Sequence, residues 1–189
     1  MFFFSELKRK SIHFASLVIP LWYYYAPTET VARRVLLVVT LIVLLVDTVR
    51  LNQPRVRNFF RYFLGELIRD HEDISLLGST YLLLATLLTV HLFPKAPAVA
   101  CVSFLIVGDT MAALFGKAFG RTRVFGKTVE GSAACFVSCL IVGWIVPGLT
   151  PAQIFAGSLV GTIFELLPIP LDDNFRIPLS AGFAMSLVG

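Results

Sequence analysis

The sequence predicts an all-α, polytopic membrane protein with about seven transmembrane helices and one further amphipathic helix lying on an interface. Three observations predict it. Of the 189 residues, 57% are hydrophobic and only 15% charged, against about 45–50% and about 25% in an ordinary soluble domain. Apolar segments recur along the whole chain, with no linker or low-complexity tract between them. The basic residues gather on alternate loops. Together these exclude disorder, a coiled coil and a water-soluble enzyme, and they argue for one membrane-embedded domain over residues 1–189.

The N-terminus does not read as a secretory signal. Lys8, Arg9 and Lys10 lie behind Phe2, Phe3 and Phe4, and the apolar run that follows ends in Trp22-Tyr23-Tyr24-Tyr25 instead of a small-residue cleavage site. The seven apolar segments are 11–26, 31–49, 76–93, 96–116, 131–147, 151–167 and 175–189. Several are shorter than the ~20 residues a bilayer core asks for. Residues 52–73 differ: Phe59, Phe60, Phe63, Leu64, Leu67 and Ile68 recur at helical spacing with Arg55, Arg57, Arg61 and Arg69 between them. That pattern fits a helix lying on an interface and meeting anionic headgroups. Gly157 and Gly161 form a GxxxG pair suited to close helix packing. Cys101, Cys135 and Cys139 lie inside apolar runs without a CxxC spacing, and read as packing residues.

Seven spans put alternate loops on opposite sides. One side then holds Lys8, Arg9, Lys10, Arg50, Arg55, Arg57, Arg61, Arg69, Lys117, Arg121, Arg123, Lys127 and Arg176; the other holds Arg33, Arg34 and Lys95. This asymmetry places the N-terminus and the basic loops in the cytoplasm and the C-terminus outside. Trp22 to Tyr25 then belong to an outer aromatic belt. The formal charge of +4 thus reflects sidedness, and no nucleic-acid partner is expected.

Charges within spans cost several kcal/mol, so each needs a partner or a task. Asp47, Asp109, Glu130, Glu165, Asp172 and Asp173 all fall in the inner half or at the inner mouth. A transporter would place such groups near the midplane. A one-sided cluster suits an enzyme that takes a soluble cofactor from the cytoplasm and a lipid from the bilayer.

The densest stretch runs from Asp109 to Ser132. Asp109, Ala113 and Gly116 share a helix face, where small residues leave room for a ligand. The loop that follows carries Gly116, Gly120 and Gly126 with Lys117, Arg121, Arg123 and Lys127, and Thr128 and Ser132 flank its end. Glycines let backbone N–H groups turn toward an anion, and the cations neutralise it. Glu130 opens the next helix, whose first N–H groups also favour a phosphate. Two carboxylates flanking a basic, glycine-containing loop predict a site for Mg²⁺ and a nucleotide polyphosphate. Gly126-Lys127-Thr128 is not the end of a Walker A loop, because Arg121 stands where that motif needs a glycine.

Two further clusters fall on the same side. Glu165, Asp172, Asp173 and Asn174 supply hard oxygen ligands, and the expected metal set is Asp109, Glu130, Asp172 and Asp173. Lys8, Lys10 and His13 form an N-terminal group with Glu6. Asp47 and Arg50, three apart, can pair on one helix face. Gly78 to Tyr81 open the third span as packing or as a substrate contact. His71, among Asp70, Glu72 and Asp73, reads as solvated.

These motifs together resemble the CTP-dependent lipid kinases: dolichol kinase, phytol kinase and the yeast-type diacylglycerol kinase. The matches are Asp109 to Ser132, Glu6…Lys8-Arg9-Lys10…His13, Asp47…Arg50, Gly78…Tyr81 and Glu165…Asp172-Asp173-Asn174…Pro178. They run in the family's order over most of the chain. The resemblance implies a multi-span enzyme that moves the γ-phosphate of CTP onto a lipid hydroxyl. Asp109, Glu130 and Asp173 would then be catalytic, and Lys8, Lys10, His13, Asp47, Arg50, Tyr81, Glu165 and Asn174 would support the site or touch substrate. Phosphatidate cytidylyltransferases are distant relatives, so a transferase making a CDP-lipid is the alternative, with a small transporter or scaffold as the other.

The basic asymmetry can be checked directly. With Thr122→Cys and Lys95→Cys, a membrane-impermeant thiol reagent should label the first from the cytoplasmic side only and the second from the outside only. Labelling of both from one face would overturn the seven-span topology.

Overall fold

The computed structural model describes residues 2–65 and 67–189, with the side chains of 2–7 and 70 excepted; the side chain of Glu6 therefore lies outside the described residues. The chain is all-α apart from one small ribbon. Its elements are α1 (Phe2–Ala15), α2 (Val18–Tyr25), α3 (Glu29–Asn52), α4 (Pro54–Leu64), a 3₁₀ turn (Asp70–Asp73), α5 (Gly78–Leu92), α6 (Lys95–Phe119), β1 (Arg123–Val124), β2 (Lys127–Thr128), α7 (Val129–Ile145), α8 (Pro151–Leu166) and α9 (Asp173–Ser186).

Local chemistry sets these boundaries. Thr28 accepts the Val31 N–H at the start of α3, and Thr128 accepts the Gly131 N–H at the start of α7. Thr150 and Gln153 form a capping box on α8, followed by Pro151 in the first turn. The first apolar segment is two helices, not one. Pro20 has no N–H to give the Ser16 carbonyl, which takes the Ile19 N–H instead, and the helix breaks there. The amphipathic helix is also shorter than its sequence pattern: α4 stops at Leu64, and Leu67, Ile68 and Arg69 line a cavity instead of continuing it.

α6 is the central helix. It is buried on all sides from Pro97 to Ile106 and packs most extensively against α7, while α8 packs on α9. Phe104, Cys101, Cys135, Cys139 and Met185 share one core cluster, and the three cysteines are buried free thiols. Gly157 and Gly161 face Met185 and Ala181 of α9, as the GxxxG spacing predicts. α3 is arranged the other way round. Its buried stripe includes Thr40, Asp47 and Arg50, while Val35, Val38, Leu41, Ile42, Leu45 and Val49 face outward. Polar residues inside and apolar residues outside suit a lipid surround.

α3 and α6, with 24 and 25 residues, are long and apolar enough to cross a membrane. α5, α7, α8 and α9 have 15, 17, 16 and 14 residues. At about 1.5 Å per residue these fall short of a ~30 Å hydrocarbon core. The apolar helices favour a membrane location without fixing the number of spans. Within the expected aromatic belt, Tyr25 is exposed but Tyr23 is buried.

The α6–α7 crossing fixes the position of the site. A Cβ on Gly131 would stand 2.7 Å from the Ala112 carbonyl oxygen, and one on Gly116 would stand 2.8 Å from Thr128 Oγ1. Backbone on one side leaves Gly131 nothing to displace. Gly131→Ala should therefore destabilise the protein by about 1–3 kcal/mol through overpacking, read as a lowered denaturation midpoint in detergent. Gly161→Ala, with its nearest neighbour at 3.5 Å, should be tolerated. Equal midpoints for the two variants would contradict this account of the crossing.

Candidate functional site

Asp109 lies on α6, where the helix leaves the core. Lys10 of α1 donates to its Oδ2 through a very short contact, and also to its backbone carbonyl at 3.3 Å. His13, three residues along α1 and so on the same face, places Nε2 3.5 Å from the same carboxylate oxygen. Lys10 is only 5% exposed, while the Asp109 side chain keeps 16% exposure, so the pair is largely buried but borders open cavity.

The loop after α6 is a β-hairpin. Arg123 pairs with Thr128 and Val124 with Lys127, across a two-residue turn in which Phe125 and Gly126 have φ of 52° and 82°. Positive φ at both turn positions is the type I′ geometry that matches strand twist, with glycine favoured at the second. The hairpin delivers Lys127 to two acids. Its Nζ donates to Glu165 Oε1 at 2.7 Å, to the Glu165 carbonyl and to Asp173 Oδ2 at 3.1 Å. Burial pushes the Lys127 ammonium down, but Asp173 and Glu165 outweigh it and hold its pKa above the usual lysine range. Arg176 completes this corner. It pairs with Asp173 and donates to the carbonyls of Leu167 at 2.6 Å and Ile169 at 3.2 Å in the turn after α8.

These groups surround a polar cavity of about 490 Å³. Arg9, Lys10, Arg69, Lys117, Arg123 and Lys127 line it, with the acids Asp109, Glu165 and Asp173. Ala112, Ala113, Gly116, Gly120, Gly126, Gly131, Thr128 and Ser132 complete the wall. Asp109, Ala113 and Gly116 thus share the cavity face that their spacing predicts. Gly116 and Gly131 also serve the helix crossing, so part of their role is packing. Ser132 Oγ and Glu165 Oε2 are buried there without a hydrogen-bond partner among the described residues. A second cavity of about 340 Å³ adjoins the first and shares Arg9, Lys10, Arg69 and Asp109 with it. Its other walls are largely aliphatic.

Several expected site residues stand elsewhere. Glu130 immediately precedes Gly131, the residue by which α7 touches α6, and about 100° of helical rotation aims it away from Asp109. Its carboxylate receives the Thr122 N–H at 3.3 Å. Hydrogen bonds, first from its own backbone N–H, hold its pKa below the usual range. Arg121 lies beside Glu130, outside the polar cavity. Asp172 caps α9, accepting the Asn174 N–H at 2.9 Å and the Asn174 side-chain amide at 2.8 Å. Asn174 lines the second cavity. Lys8 is exposed, and Tyr81 is half-buried and lines neither cavity. Among the described residues, no three His, Cys, Asp or Glu converge as a metal cluster, so Asp109, Glu130, Asp172 and Asp173 are not gathered into one cage.

Asp47 and Arg50 pair at 2.6 Å, away from both cavities. Arg50 also donates to the carbonyls of Glu72 at 2.8 Å and Ser75 at 2.7 Å, and Asp47 accepts the Leu77 N–H and the Thr80 hydroxyl, each at 2.7 Å. Glu72 accepts the N–H groups of Arg69 and Gly78. This latch folds the segment 67–77 back over the site and sets Arg69 between the two cavities, 3.9 Å from Asp172. Arg69 lines both cavities and the buried Glu72 lines the second, and neither is assigned to the site from the sequence. His71 beside them is exposed, as expected, whereas Glu72 is not.

No family model matches the chain, and no solved structure matches it. An uncharacterized protein of Rickettsia prowazekii is 32% identical over 185 residues, covering 93% of this chain and 90% of the rickettsial one. The chain belongs to the family of that protein. The CTP-dependent diacylglycerol kinase 1 of Saccharomyces cerevisiae is 24% identical over 176 residues, 78% of this chain. An uncharacterized protein of Methanocaldococcus jannaschii is 29% identical over 122 residues, 62% of this chain. The chain spans 61% of the length of each of these last two relatives. The yeast likeness is distant; it points toward a phosphotransferase and leaves the acceptor open.

The latch has a measurable consequence. Arg50→Leu leaves the Asp47 carboxylate buried without its cation, a loss of about 3–5 kcal/mol. Limited proteolysis should cut the segment 67–77 much faster in this variant than in the parent. Asp47→Asn keeps an oxygen for the Leu77 and Thr80 donors and should be milder. Unchanged cleavage of Arg50→Leu would show that the segment is held by something else.

Proposed function

We propose that the chain is a CTP-dependent kinase that phosphorylates the hydroxyl of a membrane lipid alcohol of the polyprenol, phytol or diacylglycerol type. The observation that carries this reading is Asp109. Among the described residues it is the one carboxylate common to a basic polar cavity and to the aliphatic cavity beside it. The yeast relative supplies the support for CTP as donor.

In the reaction, the acceptor oxygen forms a bond to the γ-phosphorus as the bond from that phosphorus to the β,γ-bridging oxygen breaks. CDP leaves, and the hydroxyl proton passes to Asp109. Little covalent work falls to the protein, so catalysis is positioning and charge neutralisation. Lys10 and Lys127, which pair with carboxylates while the phosphates are absent, turn to the phosphate oxygens with Lys117 and Arg123. Gly116, Gly120 and Gly126 leave room for the chain of phosphates, and Thr128 and the unpartnered Ser132 hydroxyl donate to it.

Mg²⁺ is bound by one or two carboxylates plus substrate phosphates more often than by an all-protein cage. Asp109, Asp173 and the unpartnered oxygen of Glu165 fit that need. The ion would neutralise charge on the departing diphosphate. Glu130 and Arg121 act on the hairpin's outer side, and Asp172 acts through the cap of α9. The same reading puts the N-terminus and the basic loops in the cytoplasm, the C-terminus outside, and α4 against anionic headgroups. It treats residues 1–189 as one catalytic domain.

The test is purified protein in detergent with γ-labelled CTP, Mg²⁺ and a panel of lipid alcohols. Labelled lipid phosphate and CDP are expected; release of pyrophosphate would instead identify a cytidylyltransferase. Asp109→Asn keeps an oxygen for Lys10 but removes its countercharge, so it should lower stability and, at matched amounts of folded protein in detergent, still abolish transfer. Lys127→Ala should raise the KM for CTP by about ten-fold or more, and Arg121→Ala much less. CTP should outcompete ATP by over ~10-fold, since one unmatched buried polar group costs about 1–3 kcal/mol. Equal competition by ATP would remove the CTP assignment.

A further inference from the structure

The aliphatic cavity has two ends of different chemistry. Its outer end is framed by Ile12 of α1 and Leu64 at the close of α4, which are 58% and 41% exposed. Phe14, Phe59 and Phe63 are exposed on the same two helices, so this end opens sideways onto apolar surface. Leu67, Ile68, Leu77 and the buried Leu82 form the walls behind it. The inner end meets Asp109, Arg69 and His13. His13 belongs to this cavity and not to the polar one, and its Nε2 is buried without a hydrogen-bond partner among the described residues.

A buried ring nitrogen without a partner costs free energy unless a ligand supplies one. Ser16, Ser79, Glu72 and Asn174 also line the cavity, with Glu72 oxygens taken by backbone N–H groups and Asn174 held by Asp172. A run of aliphatic side chains with cations and a carboxylate at one place suits an amphiphile with a small head group. The backbone donors of the residues in the segment 67–78 that line the cavity are already spent: those of Leu67 and Ile68 go to the Leu64 carbonyl and that of Glu72 to the Arg69 carbonyl. The Arg69 and Gly78 N–H groups go to Glu72 and the Leu77 N–H goes to Asp47. This stretch of wall therefore asks for hydrocarbon.

We infer that this cavity is the acceptor subsite: an aliphatic alcohol enters sideways between α1 and α4, and its hydroxyl meets His13 Nε2 beside Asp109. The inference rests on the phosphoryl-transfer reading above and assigns the acceptor's path within it. His13 accepts or donates the hydrogen bond that aims the hydroxyl, and Asp109 takes the proton. Arg69, held by the latch, spans from the acceptor side to the phosphate side.

The experiment uses the full chain in detergent with a long-chain alcohol carrying a photoreactive diazirine on its alkyl chain. Irradiation should attach it to residues 64–82 and to Ile12, and excess unlabelled alcohol should suppress the attachment. Attachment spread over the outward faces of α3 and α8 would overturn the assignment. Ile12→Trp and Leu64→Trp narrow the opening at exposed positions that do not support the core. Each should raise the KM for a long-chain alcohol about ten-fold while the KM for CTP stays within about two-fold. His13→Leu should lower kcat with unchanged CTP binding, and His13→Gln should restore part of it. Unchanged acceptor constants in both tryptophan variants would sink the cavity, even where wild-type transfer is robust. Absence of transfer to every alcohol with specific labelling of residues 64–82 would instead sink the kinase reading and keep the cavity.

Discussion

Asp109 carries a negative charge on the most buried helix of an apolar bundle, and that charge has to be met. Lys10 meets it from a helix 99 positions earlier in the chain. The same requirement recurs at three other acids, whereas the buried Glu72 is met by backbone N–H groups. Asp47 is met by Arg50, and Glu165 and Asp173 are met by Lys127 and Arg176. Breaking such a pair strands a charge and costs about 3–5 kcal/mol, far more than the pair itself contributes. Each pair therefore acts as a register mark. Lys10 holds α1 against α6. Lys127 holds the hairpin against the junction of α8 and α9. Arg50 holds the segment 67–77 against α3. The polar cavity is the space that these three constraints leave open.

The pairs at the cavity differ from the latch in one respect. Arg50 is 1% exposed, and its donors are spent on one carboxylate and two carbonyls. It has no alternative partner to turn to. The Lys10 and Lys127 ammoniums, by contrast, sit on flexible stems at the edge of a cavity large enough for a ligand. A lysine can exchange one oxygen anion for another without moving the backbone, whereas a forked guanidinium is fixed by its geometry. Among the cations paired with these acids, arginine makes the contacts that knit backbone segments together, and lysine makes the contacts that face the cavity. Arg176, knitting the end of α8 to the start of α9, follows the same division.

Much of this was legible in the sequence, for identifiable reasons. Apolar segments 31–49, 76–93, 96–116, 131–147 and 151–167 each contain or overlap one helix, because hydropathy reports burial or lipid contact directly. Asp109, Ala113 and Gly116 were legible because helical periodicity fixes which residues share a face. Glu130 was not, because neighbouring residues on a helix point about 100° apart, and only the packing of Gly131 on α6 decides the direction. The break at Ser16 was readable in principle from Pro20. Arg69 and Glu72 were not legible from local pattern. The helical spacing over 52–73 puts Arg69 on an interface helix, but α4 ends at Leu64, and the path of the segment beyond is set by Arg50 from a different helix.

A kinase that transfers phosphate to a lipid must keep its nucleotide from reacting with water, although the nucleotide arrives from water. The contact between Lys10 and Asp109 bears on this. While Lys10 donates to Asp109, the carboxylate is held as an ion-paired acceptor, and a stray water beside it meets a weakened base. On the proposed phosphoryl-transfer reading, phosphates entering the polar cavity would compete for the ammonium, and only then would the carboxylate become available on its other side. That other side is the aliphatic cavity, where a hydrocarbon chain would exclude water better than an open polar site could. On the same reading the two cavities share Asp109 for a physical reason. The proposed proton acceptor would be unmasked from the polar side and reached from the dry one.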